Sequence, residues 1–194
     1  RYPAVIPVAA VAGLALVVPV AILVSWLVAT GATANQSLAF EWSYALNSVT
    51  VSTAAAAVAV VAGIPVAYLS ARPGGRLPDA FERISYIGYA VPGVVLGLAL
   101  VFFGSAYATP IYQTLYLLVF AYVIRFLPQS VGSLRASFLS VDPSLPEAAR
   151  TLGQTSAGAF RYVTLPLVAP GLFGGAALVF LTTIKELPAT LLLR

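Results

Sequence analysis

The 194-residue chain holds no histidine and no cysteine, and Lys185 is its single lysine. Without these side chains no thiolate or imidazole is available, and no serine has a lysine or histidine beside it to activate its hydroxyl, so no catalytic residue is assigned. The usual nitrogen and sulfur ligands of transition metals are missing too, and no metal site is expected. No G-x-x-x-x-G-K-[ST] loop occurs, which removes that device for cradling nucleotide phosphates. Of the carboxylates, Glu186 alone borders an apolar run closely enough to matter inside a membrane, which argues against a proton relay. The chemistry left to these residues is docking.

The stretch suited to docking is Leu145-Pro146-Glu147-Ala148-Ala149-Arg150-Thr151-Leu152-Gly153, a polar interruption in an oily chain. Ser144 and Glu147 have capping-box spacing, and Pro146 is tolerated in a first turn, so a short helix is predicted here. Leu145, Ala148, Ala149 and Leu152 repeat at i, i+3, i+4 and i+7, which gives a narrow apolar face of mostly small residues. Gly153 can adopt the positive φ that ends such a helix. Ser156 is expected to cap a second short helix through Phe160 and Tyr162, so that the pair forms an elbow. Side-by-side alanines let another protein come close; the bland alternative is an amphipathic turn lying on a membrane surface.

The order Glu147-Ala148-Ala149, Gly153, Val163-Thr164-Leu165-Pro166 resembles the EAA loop of the membrane subunits of ATP-binding-cassette importers. That family's pattern is E-A-A, three residues, Gly, nine residues, an Ile-like residue, one more, then Leu-Pro, and Val163 stands where Ile is commonest. The resemblance implies that Glu147, Ala148, Ala149, Gly153, Leu165 and Pro166 couple the chain to a cytoplasmic ABC ATPase dimer. ATP and magnesium would then bind that partner, with no cofactor in this chain.

Composition sets the fold class. Hydrophobic residues make up 60% and charged residues 8% of the chain, with mean hydropathy +0.97, whereas soluble domains carry roughly 25% charged residues. An all-α, polytopic transmembrane helical bundle is predicted, embedded in membrane lipid. The net charge of +4 comes from arginines scattered through loops, so the positive-inside rule accounts for it without nucleic acid.

Five apolar runs, at about 4–29, 44–71, 84–103, 111–134 and 166–184, are each read as spans of one permease module covering 1–194. Pro7 and Pro19 are expected to bend or delimit the first. Residues 30–43 carry no Lys or Arg and are placed outside, as are 104–110, while Arg72, Arg76 and Arg83 place the loop around Pro73-Gly74-Gly75 inside. Asn47, Ser48, Thr50, Ser52 and Thr53 open a second span expected to be buried in the bundle. Pro92 and Gly93 bend the third span, and the Gly93-x-x-x-Gly97 face either packs or lines a path. In the fourth, Arg125 near the inner end is expected to snorkel, with an intramembrane functional cation as the alternative, and Pro128 to loosen the helix. The segment 135–165 is the predicted cytoplasmic coupling loop. Lys185 and Glu186 are expected to pair at the outer interface, with a place for Glu186 in the solute path as the alternative.

The spans at Asn47-Ser48, Pro92-Gly93 and Lys185-Glu186-Leu187-Pro188-Ala189-Thr190 look like the ferric-iron importer subgroup. That likeness implies Asn47, Pro92, Gly93 and Glu186 along the translocation path, and ferric iron as substrate, with thiamine, polyamine, sulfate or molybdate, and phosphonate as alternatives. It also implies a second permease module, fused in the same chain or present as a homodimer, and an extracytoplasmic solute-binding protein. The six-span plan of such permeases leaves a sixth span cut off here, and the absence of Met suggests an excerpt of a longer chain. A secondary transporter, or a passive scaffold or channel, is the reading from a different class.

Overall fold

A computed structural model describes residues 5–33, 41–72 and 76–193, with side chains placed except at 30–33, 76–79 and 82. Every regular element among the described residues is helical, as the apolar periodicity requires. The chain divides into two units between Glu41 and Trp42. In the first, α1 (Val5–Thr33) carries Pro7 in its first turn and runs on through Pro19. Nearly all its described side chains are exposed, and a helix apolar all round is suited to lipid. Most of the predicted outer loop, at 34–40, lies outside the described residues.

The second unit is built on α2 (Trp42–Ser70), α5 (Leu115–Ser140) and α9 (Ala169–Thr183), each packed on the other two. Ser52, Ala55, Ala56, Ala59, Gly63 and Ala67 form one buried stripe down α2. Gly171 and Gly175 do the same on α9. A Cβ at Gly63 would press on Ser130 and Leu134 of α5, one at Gly171 would collide with Ser137, and one at Gly175 would meet the Ser130 backbone. Lipid gives helices no hydrophobic reason to associate, so backbone approach through small residues supplies the contact. The start of α2 departs from the expectation of burial: Asn47, Ser48, Thr50 and Thr53 are exposed. The hydroxyls of the last three donate to the carbonyls four residues back instead of to a neighbouring helix.

The predicted third span is two helices. α3 (Arg76–Ala90) and α4 (Gly93–Tyr107) meet at 98°. Pro92 has no N–H to continue α3 and disfavours the α conformation at Val91. It sits at φ −57°, ψ 139°, and its carbonyl accepts the Leu96 N–H to start α4. Because α3 already begins at Arg76, Arg76 and Arg83 are helical and not loop residues; 73–75 lie outside the described residues. A turn of 3₁₀ helix at Thr109–Ile111 leads to α5, which starts later and ends later than predicted and continues through Pro128. Arg135 is therefore helical, its Nε donating to the Ser70 carbonyl at 3.3 Å, and the segment after α5 begins only at Val141, not at 135 as predicted.

After α5 come α6 (Ser144–Thr151), α7 (Ser156–Ala159), a π-turn (Phe160–Thr164) and α8 (Leu165–Leu167). Residues 156–167 meet α9 at 63° across Val168. Ile184 to Leu187 then separate α9 from α10 (Pro188–Leu193), which packs on α4. Among the described residues, three helices are long and apolar enough to cross a membrane, or up to five if each bent pair is one span.

Candidate functional site

Two places gather the residues singled out from sequence: the elbow at 144–167 and the corner where α4 begins. In the elbow, the cap of α6 is not Ser144. The Asp142 carboxylate accepts the Ser144 N–H at 2.9 Å, and the Asp142 carbonyl accepts the Leu145 N–H at 3.1 Å. Ser144 is thus the first helical residue, and its N–H, followed by its hydroxyl, holds the Asp142 carboxyl below the usual carboxylate range. The second cap is displaced too, by one residue where the first moved by two. Thr155, not Ser156, accepts the Gly158 N–H through its hydroxyl, at 3.0 Å.

The end of α6 is as expected. Gly153 has φ +92°, and a Cβ there would meet nothing within 4 Å, so conformation and not space requires glycine. Gln154 N–H donates to Ala149 C=O and Gly153 N–H to Arg150 C=O, both at 3.1 Å, which is the paired closure of a Schellman motif. No residue of α6 is buried. Ala149 is half-covered, Glu147 and Ala148 are exposed, and Leu152 is 85% exposed, so the small apolar face is left open. Glu147, Arg150, Thr151, Gln154, Thr155 and Ser156 line a shallow concavity between the two short helices. Further on, Leu165 packs into the core beside Val168, while Pro166 is exposed in the first turn of α8.

At the corner, Gly93 and Glu186 meet, and they meet around Arg125. Arg125 lies eleven residues into α5, with its Nη1 3.7 Å from Glu186 Oε1 and side-chain exposures of 20% and 11%. It does not snorkel, and Glu186 is not paired with Lys185, which is exposed. The reason is cost: a lone charge at depth is expensive, and the opposite charge 61 positions on is the compensation within reach. A Cβ on Gly93 would collide with both the guanidinium and the carboxylate. The contact is an ion pair too long for a hydrogen bond, and neither facing atom has a hydrogen-bond partner.

Beside the pair, Thr190 donates to the Glu186 carbonyl and shares a hydrogen bond with the Tyr122 hydroxyl, tying α10 to α5. Pro92 is exposed at the rim of this corner, whereas Asn47 stands on the exposed start of α2 and is not gathered there. Arg125 was legible as a lone cation in an apolar run, but its partner was not. Among the described residues no cluster of three or more His, Cys, Asp or Glu side chains could hold a metal ion.

A family model described as a binding-protein-dependent transport system inner membrane component matches residues 63–193. The chain is 35% identical to an Fe(3+)-transport system permease protein of Haemophilus influenzae over 177 residues, covering 91% of this chain and 35% of that protein. It is 34% identical to a probable molybdenum ABC transporter permease of Haloferax volcanii, covering 77% of this chain and 58% of the relative. It therefore spans between a third and three-fifths of the length of these relatives. In fold it is similar to a chain from the crystal structure of an amino acid ABC transporter with histidines, with TM-score 0.54 and 22% identity, covering 76% of this chain and 67% of that one.

Proposed function

The chain belongs to the inner membrane components of binding-protein-dependent transport systems, and from that premise we propose that it forms the membrane path of an ATP-driven solute importer and takes its drive through the elbow. ATP hydrolysis belongs to a separate cytoplasmic ATPase dimer, which binds the ATP and magnesium. A second permease module completes the path, and an extracytoplasmic binding protein delivers the solute.

The observation that carries this reading is α6. A helix of eight residues with no buried side chain, closed by Gly153 at positive φ, presents Ala148 and Leu152 outward. Small residues at such a surface allow close approach of a partner, and Glu147 in the first turn suits the positive helix end. The Gly93, Pro92 and Glu186 corner borders the path in this reading, and Asn47 makes a separate contact with it from the exposed start of α2. For cargo we favour ferric iron, the substrate named for the Haemophilus relative, with molybdate as the alternative, in keeping with the molybdenum named for the Haloferax one.

The substitution Ala148→Cys, in the transporter carrying all its subunits, tests the coupling. Disulfide or bifunctional cross-linking to the ATPase is expected, with a yield that changes when ATP is bound. A label at position 148 reached only from the extracellular side, or no cross-link to the ATPase, would reject the reading. Uptake of radioactive ferric iron against molybdate in proteoliposomes decides between the two cargoes.

A further inference from the structure

Any force arriving at α6 must leave it by a narrow route, because α6 packs on α7 and the π-turn and buries nothing in the bundle. From the last residue of α7 onward, the anchored residues are Ala159, Thr164 and Val168, all buried, with half-buried Phe160 beside them. Phe160 is much the largest of the four. Its ring lies 5.3 Å from Tyr68 at 78° and 6.5 Å from Phe138 at 23°, and Tyr68 and Phe138 are themselves 5.4 Å apart at 67°. Tyr68 is in the last turn of α2 and Phe138 in the last turn of α5. One elbow ring is thus held by the same-end tips of two bundle helices, edge-to-face against Tyr68 and stacked against Phe138, both arrangements that aromatic pairs favour.

The surroundings stiffen this clasp. The Arg72 guanidinium lies 4.2 Å from the Tyr68 ring centroid and donates to its hydroxyl, which holds the ring in place. Arg135 ties the α5 end to the Ser70 carbonyl at the end of α2, so the two tips form one seat. Phe160 also opens the π-turn, with its carbonyl accepting the Leu165 N–H five residues on. Single π-turns recur at functional positions because the widened turn redirects side chains. The other exit from the elbow runs through Leu165 and Val168, which pack in the same core, and through the bend at Val168 into α9.

We propose that Phe160, seated between Tyr68 and Phe138, is a positioning residue that passes displacement of the elbow to α2 and α5, so that its loss uncouples ATP hydrolysis from solute movement while the docking face of α6 stays intact. This rests on the coupling role given to α6 above. The remaining route, through Leu165, Val168 and the bend into α9, then shifts α9 ahead of the ends of α2 and α5, and the bundle no longer moves as one body.

The test uses the assembled transporter in proteoliposomes, with radioactive ferric iron and molybdate as probes and ATP hydrolysis measured alongside. Solute taken up per ATP is expected to fall at least about fivefold in Phe160→Ala, the low end of typical coupling effects. Phe160→Tyr, which keeps the ring, is expected to restore it to within about twofold. When Ala148→Cys is added to each of these proteins, the yield of its cross-link to the ATPase stays at the level seen with Phe160 intact. Should Phe160→Ala fail to assemble, Tyr68→Leu removes the opposing ring and is expected to give the same fall. Wild-type uptake per ATP in Phe160→Ala, or in Tyr68→Leu where the alanine variant does not assemble, overturns the proposal. Absence of the cross-link from Ala148→Cys when Phe160 is intact overturns instead the coupling role on which it rests.

Discussion

Neutralising one member of the Arg125–Glu186 pair is the perturbation whose size the structure sets most directly. At 3.7 Å and an effective dielectric constant of about 20, the attraction is about 4.5 kcal/mol. The side chains retain 20% and 11% exposure, and screening through that opening reduces the value to about 3 kcal/mol. Removing one partner strands the other charge among α4, α5 and the α9–α10 joint, so Glu186→Gln or Arg125→Met alone is expected to cost about 3 kcal/mol. The double variant strands nothing. Its loss is expected to be about 3 kcal/mol also, so that the two single losses fail to add by about that amount.

Unfolding of detergent-solubilised protein by titrated SDS, followed by the fluorescence of Trp26 and Trp42, yields all corners of this cycle. Gly93→Ala supplies an internal control. Its Cβ would enter the space held by the guanidinium and the carboxylate, and in that background the coupling between the two charges is expected to collapse toward zero. Losses from the two single variants that add to within about 0.5 kcal/mol would show the pair to be a coincidence of proximity.

Gly88→Ala is expected to be worse tolerated than most helix substitutions, costing about 1–3 kcal/mol, because its Cβ would run into the Ile124 carbonyl of α5, a backbone atom that cannot rotate away. The same SDS titration measures it, and a loss below about 0.5 kcal/mol would mean that α3 does not approach α5 this closely. The start of α6 should depend on pH through Asp142, whose carboxyl is lowered by the Ser144 N–H. Because the folded value lies below the unfolded one, the bond stabilises the helix start fully above the ordinary carboxylate range and is lost as pH falls through the lowered value. Hydrogen exchange at 144–147 is expected to quicken at acid pH, after correction for intrinsic rates, and to be already fast at neutral pH in Asp142→Ala; equal protection in wild type and variant would contradict this.

Much of the molecule was legible because it is written in local terms. An apolar run long enough to cross lipid must satisfy its backbone internally, so composition alone forces helices. A glycine placed at the end of an i, i+3, i+4, i+7 pattern foretells the turn that Gly153 makes at φ +92°. The elbow likewise follows from caps and spacing, although the caps proved to be Asp142 and Thr155, each one or two residues ahead of the serines expected. Several oxygen-bearing side chains compete for the same N–H groups at a helix start, and geometry in three dimensions picks among them.

What only the tertiary structure decided is which distant residues share a place. Pro92 announces a break, but 98° rather than a gentle bend follows from where α10 and α5 receive α4 through Gly93 and Gly97. Arg125 reads as a snorkelling cation and Glu186 as the partner of Lys185 at the interface, and nothing in the 60 residues between Arg125 and Glu186 encodes their meeting. Phe160, Tyr68 and Phe138 lie in three separate segments, with no spacing that links them, and meet only in the folded bundle. Periodicity specifies the face a helix buries; the identity of what lies against that face is a property of the packed bundle, and it is there that the charges and the rings acquire their partners.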